Sequence, residues 1–200
     1  MKNGVYYGLP DIDPWDEQRD ARNYDGPFPV IAHPPCARWG RYWSGGPMLA
    51  KTEGRKKLGD DEGCFEAALK AVRTYGGILE HPEASRAWGF YGMKIPPRKG
   101  GWIIADSAGG RSCCVEQGHY GHRARKATWL YACGTDLPEL KWGPCRAELR
   151  PDEGYLSAEE RRRKIRTGIC QRLSKNQRMA TPVEFRDLLI EIAKTAILTL

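Results

Sequence analysis

Cys36 is the residue of this sequence whose surroundings most clearly suggest chemistry. It follows the apolar run Val-Ile-Ala at 30–32, then His33 and two prolines, so a buried strand is predicted to end by presenting a thiol on a rigid backbone. The thiolate form of cysteine is a strong nucleophile where a substrate can reach it. We therefore take Cys36 as a candidate nucleophile. The alternative is a tight turn around a buried, inert cysteine.

A carboxylate and two guanidinium groups flank other predicted strands. Glu80 follows the apolar pair at 78–79, and Arg123 and Arg125 precede the apolar stretch at 127–132. In an open α/β sheet the functional residues collect just beyond the carboxyl ends of the strands. We therefore expect these charged side chains to converge on the thiol. The alternatives are a helix cap or salt bridge for Glu80 and a solvated basic patch for the arginines.

The elements that must position these residues alternate in type along the chain. Strands are predicted at 5–7, 29–33, 78–80, 102–105, 113–115 and 127–132, and helices at 61–75, 157–166 and 182–198. This order favours an α/β fold with a mostly parallel sheet and C-terminal helices. The predicted organisation is a catalytic-like core over 1–137, a connector over 138–156 and a helical extension over 157–200 that packs on the core.

The composition favours a cytoplasmic protein that binds nucleic acid. The formal net charge is +7, and the chain contains 7 Trp and 9 Tyr residues, which suits a surface that holds phosphates and stacks on bases. The mean hydropathy is −0.62, and no run approaches the roughly 20 apolar residues of a membrane span. The 7 cysteines are predicted to be free thiols. No metal is predicted, because a zinc site would have to form without any Cys-x-x-Cys pair.

Two basic segments are candidates for contacts with the nucleic-acid backbone. The first lies in a predicted Gly-rich loop, and the second lies in the helix that the capping box at 157–160 opens. The candidate residues are Arg55, Lys56, Lys57, Arg161, Arg162, Arg163 and Lys164. A solvated charged face is the alternative to a phosphate-binding arm.

Three short motifs and their order carry a resemblance to a known family. In chain order they are Pro34-Pro35-Cys36, Glu80-His81-Pro82, and Tyr120-Gly121-His122 followed by Arg125-Lys126-Ala127-Thr128. This series resembles the motifs of cytosine-5 DNA methyltransferases, and phage proteins of that type look most similar. The resemblance covers roughly residues 11–132 and implies a Rossmann-like methyltransferase core. It also implies a phage or mobile-element setting, and hence the host cytoplasm.

The resemblance implies a role for each matching residue. Cys36 would add to C6 of a pyrimidine, Glu80 would hydrogen-bond the base, and Arg123 and Arg125 would support the base carbonyl and the thiolate. A target inside a duplex would first have to be flipped out. The substrate-binding residues implied around the base are His33, Pro35, His81, His122 and Lys126.

The cofactor half of the resemblance is incomplete. The family binds S-adenosylmethionine at a Gly-rich loop after its first strand, and this sequence has no such loop before Cys36. Asp11 and Asp13 look like the acidic end of the second strand, so they are the cofactor-binding candidates. His81 stands where the family has asparagine, and Gln117 lies earlier than the glutamine that usually precedes the arginines.

These departures leave several functions open. The preferred hypothesis is modification of a pyrimidine in DNA at C5 through covalent addition of Cys36. Its one-carbon donor is S-adenosylmethionine bound in a divergent way or another, unknown donor, and a partner subunit or a second copy of the chain could complete the site. The alternative is a catalytically inactive accessory or regulatory module that binds nucleic acid.

Overall fold

The computed structural model describes residues 4–41, 43, 44, 56–146, 159, 162 and 173–197. Its strands are β1 (Val30–Ala32), β2 (Gly77–Pro82), β3 (Ile103–Ile104), β4 (Arg111–Glu116) and β5 (Ala127–Cys133). Its helices are α1 (Cys64–Tyr75), α2 (Arg86–Phe90), α3 (Lys175–Met179) and α4 (Val183–Lys194). Short 3-10 turns lie at Ala21–Asn23 and Gln117–Tyr120. The predicted α/β class with C-terminal helices is confirmed.

The sheet is mixed, so the prediction of a mostly parallel sheet is wrong. The strand order is β1-β2-β5-β4-β3, and only β1 and β2 are parallel. A parallel pair requires a long crossover, which α1 supplies between these two strands. The later connections, 105–110 and 117–126, carry no helix longer than a 3-10 turn and return the chain antiparallel. This topology shows no relation to a Rossmann-like core.

The predicted strand at 5–7 is also wrong. These residues form a turn in which the Tyr7 amide donates to the Gly4 carbonyl at 3.0 Å. The described residues 4–29 contain no strand, so β1 begins the sheet. The N-terminal segment instead lies against α4, where the Arg186 guanidinium donates to the Val5 carbonyl at 2.9 Å.

Helices cover both faces of the sheet. Because side chains alternate along a strand, Leu79 of β2 faces α1 and α2, whereas its neighbour Ile78 faces α4. The first core contains Trp39, Phe65, Leu69, Val72, Leu79, Trp88, Trp129 and Tyr131, and the second contains Ile78, Val115, Leu130, Phe185, Leu189 and Ile192. Within the described ranges, no helix has the length and apolar character needed to cross a bilayer.

The region predicted as a connector also contacts this core over its described part. Leu140 is buried in the second core, the Lys141 amide donates to the Tyr120 hydroxyl at 3.0 Å, and Trp102 donates to the Pro138 carbonyl at 3.0 Å. The predicted boundary between connector and helical extension, at 156–157, lies outside the described residues. The last helix, α4, packs on the sheet through its buried side chains.

Two local features place α1 between the parallel strands. The Asp61 carboxylate accepts the Phe65 amide at 2.9 Å and the Trp39 indole N–H at 2.7 Å, which anchors the start of the helix. Gly76 and Gly77 then end the helix and start β2 directly beside β1. At Gly77, φ is 123°, and a Cβ atom there would lie 2.0 Å from the Val30 carbonyl oxygen. Only glycine fits this position without strain.

Substitution of Gly77 by alanine is expected to destabilise the sheet. We expect Gly77→Ala to lower the free energy of unfolding by about 2–4 kcal/mol, because φ is unfavourable and the strand pair must separate. Urea denaturation measures this difference. The matched control is Gly89→Ala, an exposed helical position with nothing within 4 Å of the added methyl, which should be neutral or slightly stabilising. Equal urea midpoints for Gly77→Ala and wild type would contradict this account.

Candidate functional site

A row of polar side chains interrupts the apolar face of the sheet that α4 covers. Ile31 and Ile78, partners in the parallel register, both face the second core. His33 and Glu80 follow these two isoleucines by two residues, so their side chains lie on the same face of the sheet. Gln117 joins them from the end of β4, two residues after Val115. The carboxyl ends of β1, β2 and β4 thus meet at one polar cluster.

Glu80 is the centre of this cluster. Its Oε2 lies 3.0 Å from Nδ1 of His33, and its Oε1 accepts a hydrogen bond from Nε2 of Gln117 at 3.2 Å. The same Gln117 nitrogen donates to Oγ1 of Thr128 at 2.9 Å. The Tyr6 hydroxyl lies 2.8 Å from Nε2 of His33 and extends the chain of contacts. Glu80 lies within β2 rather than beyond its end, so the expected position after the strand is corrected here.

The surroundings keep the Glu80 carboxylate ionised. Burial by itself would raise the pKa of Glu80, but the hydrogen bond and charge of His33, with the charge of Lys126, hold that pKa below its usual value. The Glu80 side chain is still 12% exposed. Each carboxylate oxygen can accept more than one hydrogen bond, so Glu80 retains acceptor capacity for a ligand.

Cys36 is presented in a tight turn just after β1. Its carbonyl accepts the amides of Trp39 and Gly40 at 3.1 and 2.8 Å, which fixes the turn. The residue as a whole is exposed and its thiol is free. Partial withdrawal from water raises the pKa of the Cys36 thiol, and the nearby negative charge of Glu80 raises it further, while Lys126 lowers it. The thiol of Cys36 and the carboxylate of Glu80 therefore lie within electrostatic range of each other.

Lys126 supplies the cation at this site. Its Nζ donates to the carbonyl of Ala180 at 2.7 Å and to that of Met179 at 3.3 Å, at the end of α3. Burial lowers the pKa of Lys126, while the charges of Glu80 and Cys36 act in the opposite direction. Lys126 has a φ of 44°, a left-handed conformation at the entry to β5. The C-terminal segment thus directs this ammonium group to the site.

The two arginines implied as catalytic are placed differently. Arg125 is exposed, and its Nε lies 3.8 Å from Oε2 of Glu116, a carboxylate that also accepts the amide of Cys145 at 2.8 Å. Arg123 is exposed in the loop before β5. The ionic partner that the structure gives Arg125 is therefore at β4, and the cation whose charge acts on Glu80 and Cys36 is Lys126.

The remaining substrate-binding candidates fall into two groups. Pro35 is exposed beside Cys36, and His33 and Lys126 belong to the cluster. His81 is fully buried on the opposite face of the sheet, with its ring 5.2 Å from that of Phe65. His122 is buried and ties its loop to α3, since its Nε2 lies 3.2 Å from the Gln177 carbonyl oxygen. His81 and His122 therefore make structural contacts here.

The cofactor-binding candidates do not form the expected acidic strand end. Asp13 is bonded by Arg19 and by the Trp15 indole N–H, and the Arg19 hydrogen bond in particular lowers its pKa. Asp11 is exposed in a turn with a φ of 61°. No strand precedes β1 within residues 4–29. These residues do not fit S-adenosylmethionine as the resemblance implies, so we assign no step to that cofactor.

The proposed backbone contacts can be placed only in part. Lys57 is exposed, Lys56 is half-buried, and Arg162 is helical. Arg55, Arg161, Arg163 and Lys164 lie outside the described residues. The described cysteines are all free, as predicted. In the same part of the chain, no group of three or more His, Cys, Asp or Glu side chains could hold a metal ion.

Sequence reasoning missed the contributions of Gln117 and Tyr6. The alternation of Cys113, Val115 and Gln117 along one face of β4 could have placed Gln117 at the end of the apolar row. Nothing in the local sequence around Tyr6 signals its contact with His33, which depends on the docking of the N-terminal segment.

Comparison of the chain with protein-family models, with curated proteins and with solved structures gives no match.

The opposing effects of Glu80 and Lys126 on the thiol can be measured without a substrate. Glu80→Gln should lower the pKa of Cys36 and accelerate its alkylation by iodoacetamide at neutral pH by roughly two- to tenfold, whereas Lys126→Met should slow it by a similar factor. Peptide mass spectrometry isolates the Cys36 signal. Glu66→Gln, an exposed site on α1, is the charge-matched control and should change nothing. A change of the Cys36 alkylation rate in the same direction in Glu80→Gln and Lys126→Met would contradict this account.

The buried His81 predicts acid sensitivity of the fold. Burial lowers the pKa of His81 to about 4. The unfolded chain takes up a proton near pH ~6.5, so stability is full above that pH and is lost as the pH falls towards about 4, by on the order of 3 kcal/mol.

His81→Leu removes this titration and serves as the comparison. Urea denaturation between about pH 7 and pH 4 should show a smaller loss of stability for the variant than for wild type. At neutral pH the variant should be close to wild type in stability, since a buried polar side chain is replaced by an apolar one of similar size. Identical pH slopes for the two proteins would disprove the assignment.

Proposed function

We propose that this protein modifies a pyrimidine base through covalent addition of the Cys36 sulfur to ring carbon C6. The observation that carries the proposal is the mutual electrostatic influence of Cys36, Glu80 and Lys126, residues that are far apart in the chain. A nucleophile, an ionised acid and a cation within electrostatic range of one another are the groups that such an addition uses. The order of motifs resembling cytosine-5 DNA methyltransferases is independent support.

The addition balances with the groups at the site. The thiol proton leaves to water, to which Cys36 is exposed. As sulfur bonds to C6, the C5–C6 double bond becomes single, a C4–C5 double bond forms, and an electron pair moves to ring nitrogen N3. N3 then takes a proton through Glu80, and C5 becomes electron-rich. C5 would then attack an electrophilic one-carbon donor, whose leaving group would depart with the bonding electron pair. The N3 proton would return to Glu80, and loss of the C5 proton to water would restore the C5–C6 double bond and expel the sulfur as the Cys36 thiolate.

Lys126 has the role that the resemblance gives to arginine. Its ammonium group lowers the pKa of the thiol and offsets the charge of Glu80. This balance matters because burial and Glu80 otherwise hold Cys36 in its unreactive thiol form. Binding of a base that neutralises Glu80 would remove the largest nearby negative charge and leave Lys126 to favour the thiolate.

DNA is the proposed substrate polymer. A net charge of +7 attracts a polyanion, and the exposed Lys57 adds to the described positive surface. We propose a cytoplasmic setting, and a partner subunit or second copy of the chain remains part of the hypothesis because the donor site is unassigned.

Exchange of hydrogen at C5 tests the addition without a donor. If Cys36 adds reversibly to C6, C5 takes up deuterium from D2O, loses its hydrogen, and the base is released with deuterium at C5. Sheared genomic DNA, single- and double-stranded, and deoxycytidine monophosphate are incubated with the protein, and mass spectrometry then detects deuterated nucleosides. Cys36→Ser should lower the exchange rate by on the order of 100-fold or more.

DNA affinity is measured on the same proteins by fluorescence anisotropy. Wild-type exchange that depends on Cys36 supports the enzyme. DNA binding by wild type and Cys36→Ser without any exchange rejects the enzyme and favours the alternative, a catalytically inactive binding module. Lys126→Met separates roles further, since it should slow exchange more than it weakens DNA binding.

A further inference from the structure

Glu80 needs a proton source if it is to protonate a bound base, because it is ionised at rest. The only side chain with a titratable nitrogen bonded to it in the described part of the chain is His33, whose Nδ1 lies 3.0 Å from Oε2. The other ring nitrogen, Nε2, lies 2.8 Å from the Tyr6 hydroxyl. Tyr6, His33 and Glu80 therefore form a continuous hydrogen-bonded chain.

We propose that His33 is a positioning residue that supplies protons to Glu80, and that Tyr6 holds His33 in the orientation and tautomer this requires. The inference rests on the proposed function, since it explains how Glu80 acquires the proton it delivers. Neither residue touches the base in this account. Both act through Glu80.

The direction of each hydrogen bond follows from the chemistry of the partners. An ionised carboxylate only accepts, so the Nδ1 of His33 must carry the hydrogen that points at Glu80. Neutral His33 then accepts at Nε2, and the Tyr6 hydroxyl donates to it. Tyr6 suits this role because burial, followed by the charge of Glu80, raises its pKa and keeps its hydroxyl protonated.

One proton passes from His33 through Glu80 to the base. In the charged imidazolium, Nε2–H donates to the Tyr6 oxygen, which can accept as well as donate. The Nδ1 proton passes to Oε2 of Glu80, and Glu80 passes a proton to N3 of the base. His33 is left neutral with its hydrogen on Nε2, and a water proton restores the imidazolium. No oxidant or reductant takes part.

Contacts between the N-terminal segment and α4 hold the hydrogen-bonded chain of Tyr6, His33 and Glu80 in place. The Tyr6 ring lies 5.5 Å from the His33 ring, and the neighbouring Val5 carbonyl accepts from Arg186 of α4 at 2.9 Å. Around Glu80 and His33, the charged and titratable groups are Tyr6, Cys36, His81 and Lys126, with Arg186 and Asp187 of α4 acting on Tyr6. Lys126 contributes a positive charge to these surroundings, and Glu80 contributes a negative one.

The test compares the pH dependence of C5 hydrogen exchange in wild type and His33→Asn. The Asn amide can still donate to Glu80 from the place of Nδ1 but does not titrate. In wild type, the exchange rate should depend on pH through the proton that His33 passes to Glu80. In His33→Asn the rate should fall on the order of 100-fold, and its pH dependence should differ from that of wild type, because the Asn side chain neither gives up nor takes up a proton.

Tyr6→Phe tests the contact of His33 with Tyr6 by a measurement that needs no activity. In wild type, the 15N signals of neutral His33 should report hydrogen on Nδ1. In Tyr6→Phe the Nε2 signal should shift towards that of an unbonded nitrogen, while Nδ1 keeps the hydrogen that it donates to Glu80. Tyr7→Phe is the matched control, because the Tyr7 hydroxyl donates to Asp16 at 2.7 Å outside the cluster, and it should leave both the signals and the exchange profile unchanged.

The outcomes separate the two proposals. No C5 exchange by wild type would overturn the proposed function and this inference with it. Wild-type exchange whose pH profile is the same in His33→Asn would overturn the proton supply by His33 and leave the proposed function standing. Hydrogen on Nε2 in neutral wild-type His33 would also overturn it. A shifted profile together with the Nδ1–H tautomer supports it.

Discussion

The site depends on one physical constraint: the carboxylate of Glu80 in β2 is ionised although it is largely buried. A carboxylate withdrawn from water is costly unless hydrogen bonds and opposite charge compensate for it. Here the compensation comes from three separate parts of the chain: His33 after β1, Gln117 after β4 and Lys126 before β5. The carboxylate is therefore stable only when these strands have the observed order, which couples the fold to the site.

The same charge influences the protonation state of the Cys36 thiol. Burial and Glu80 both raise the pKa of Cys36, which favours the thiol over the thiolate in the free protein. Lys126 acts against this effect by lowering that pKa. A ligand that takes over the negative charge of Glu80 shifts the balance towards the thiolate, which would restrict nucleophilic chemistry to the bound state. Both the reactivity of Cys36 and the recognition of the ligand would then depend on Glu80.

Much of the fold follows from local sequence, and the errors have identifiable physical causes. Apolar runs located β1, β2, β4 and β5, and the periodicity of Phe185, Leu189 and Ile192 located α4, because burial on one face leaves a pattern in the sequence. Strand direction leaves no such pattern, since it depends on the length of the connections. The turn at Tyr6 and Tyr7 is apolar enough to resemble a strand, but it packs by docking on α4.

Within the site, sequence indicated Cys36 and Glu80 as candidates, whereas the charge of Lys126 that acts on both is apparent only from the structure. The guanidinium of Arg125 instead lies 3.8 Å from Glu116 through its Nε. Lys126 has a left-handed conformation, and its ammonium group donates to the carbonyls of Met179 and Ala180. These carbonyls belong to a segment some fifty residues later in the sequence. The C-terminal helices thereby complete the site. The carbonyl of Ala180 at the end of α3 accepts the Lys126 ammonium group, and α4 holds the N-terminal segment that carries Tyr6.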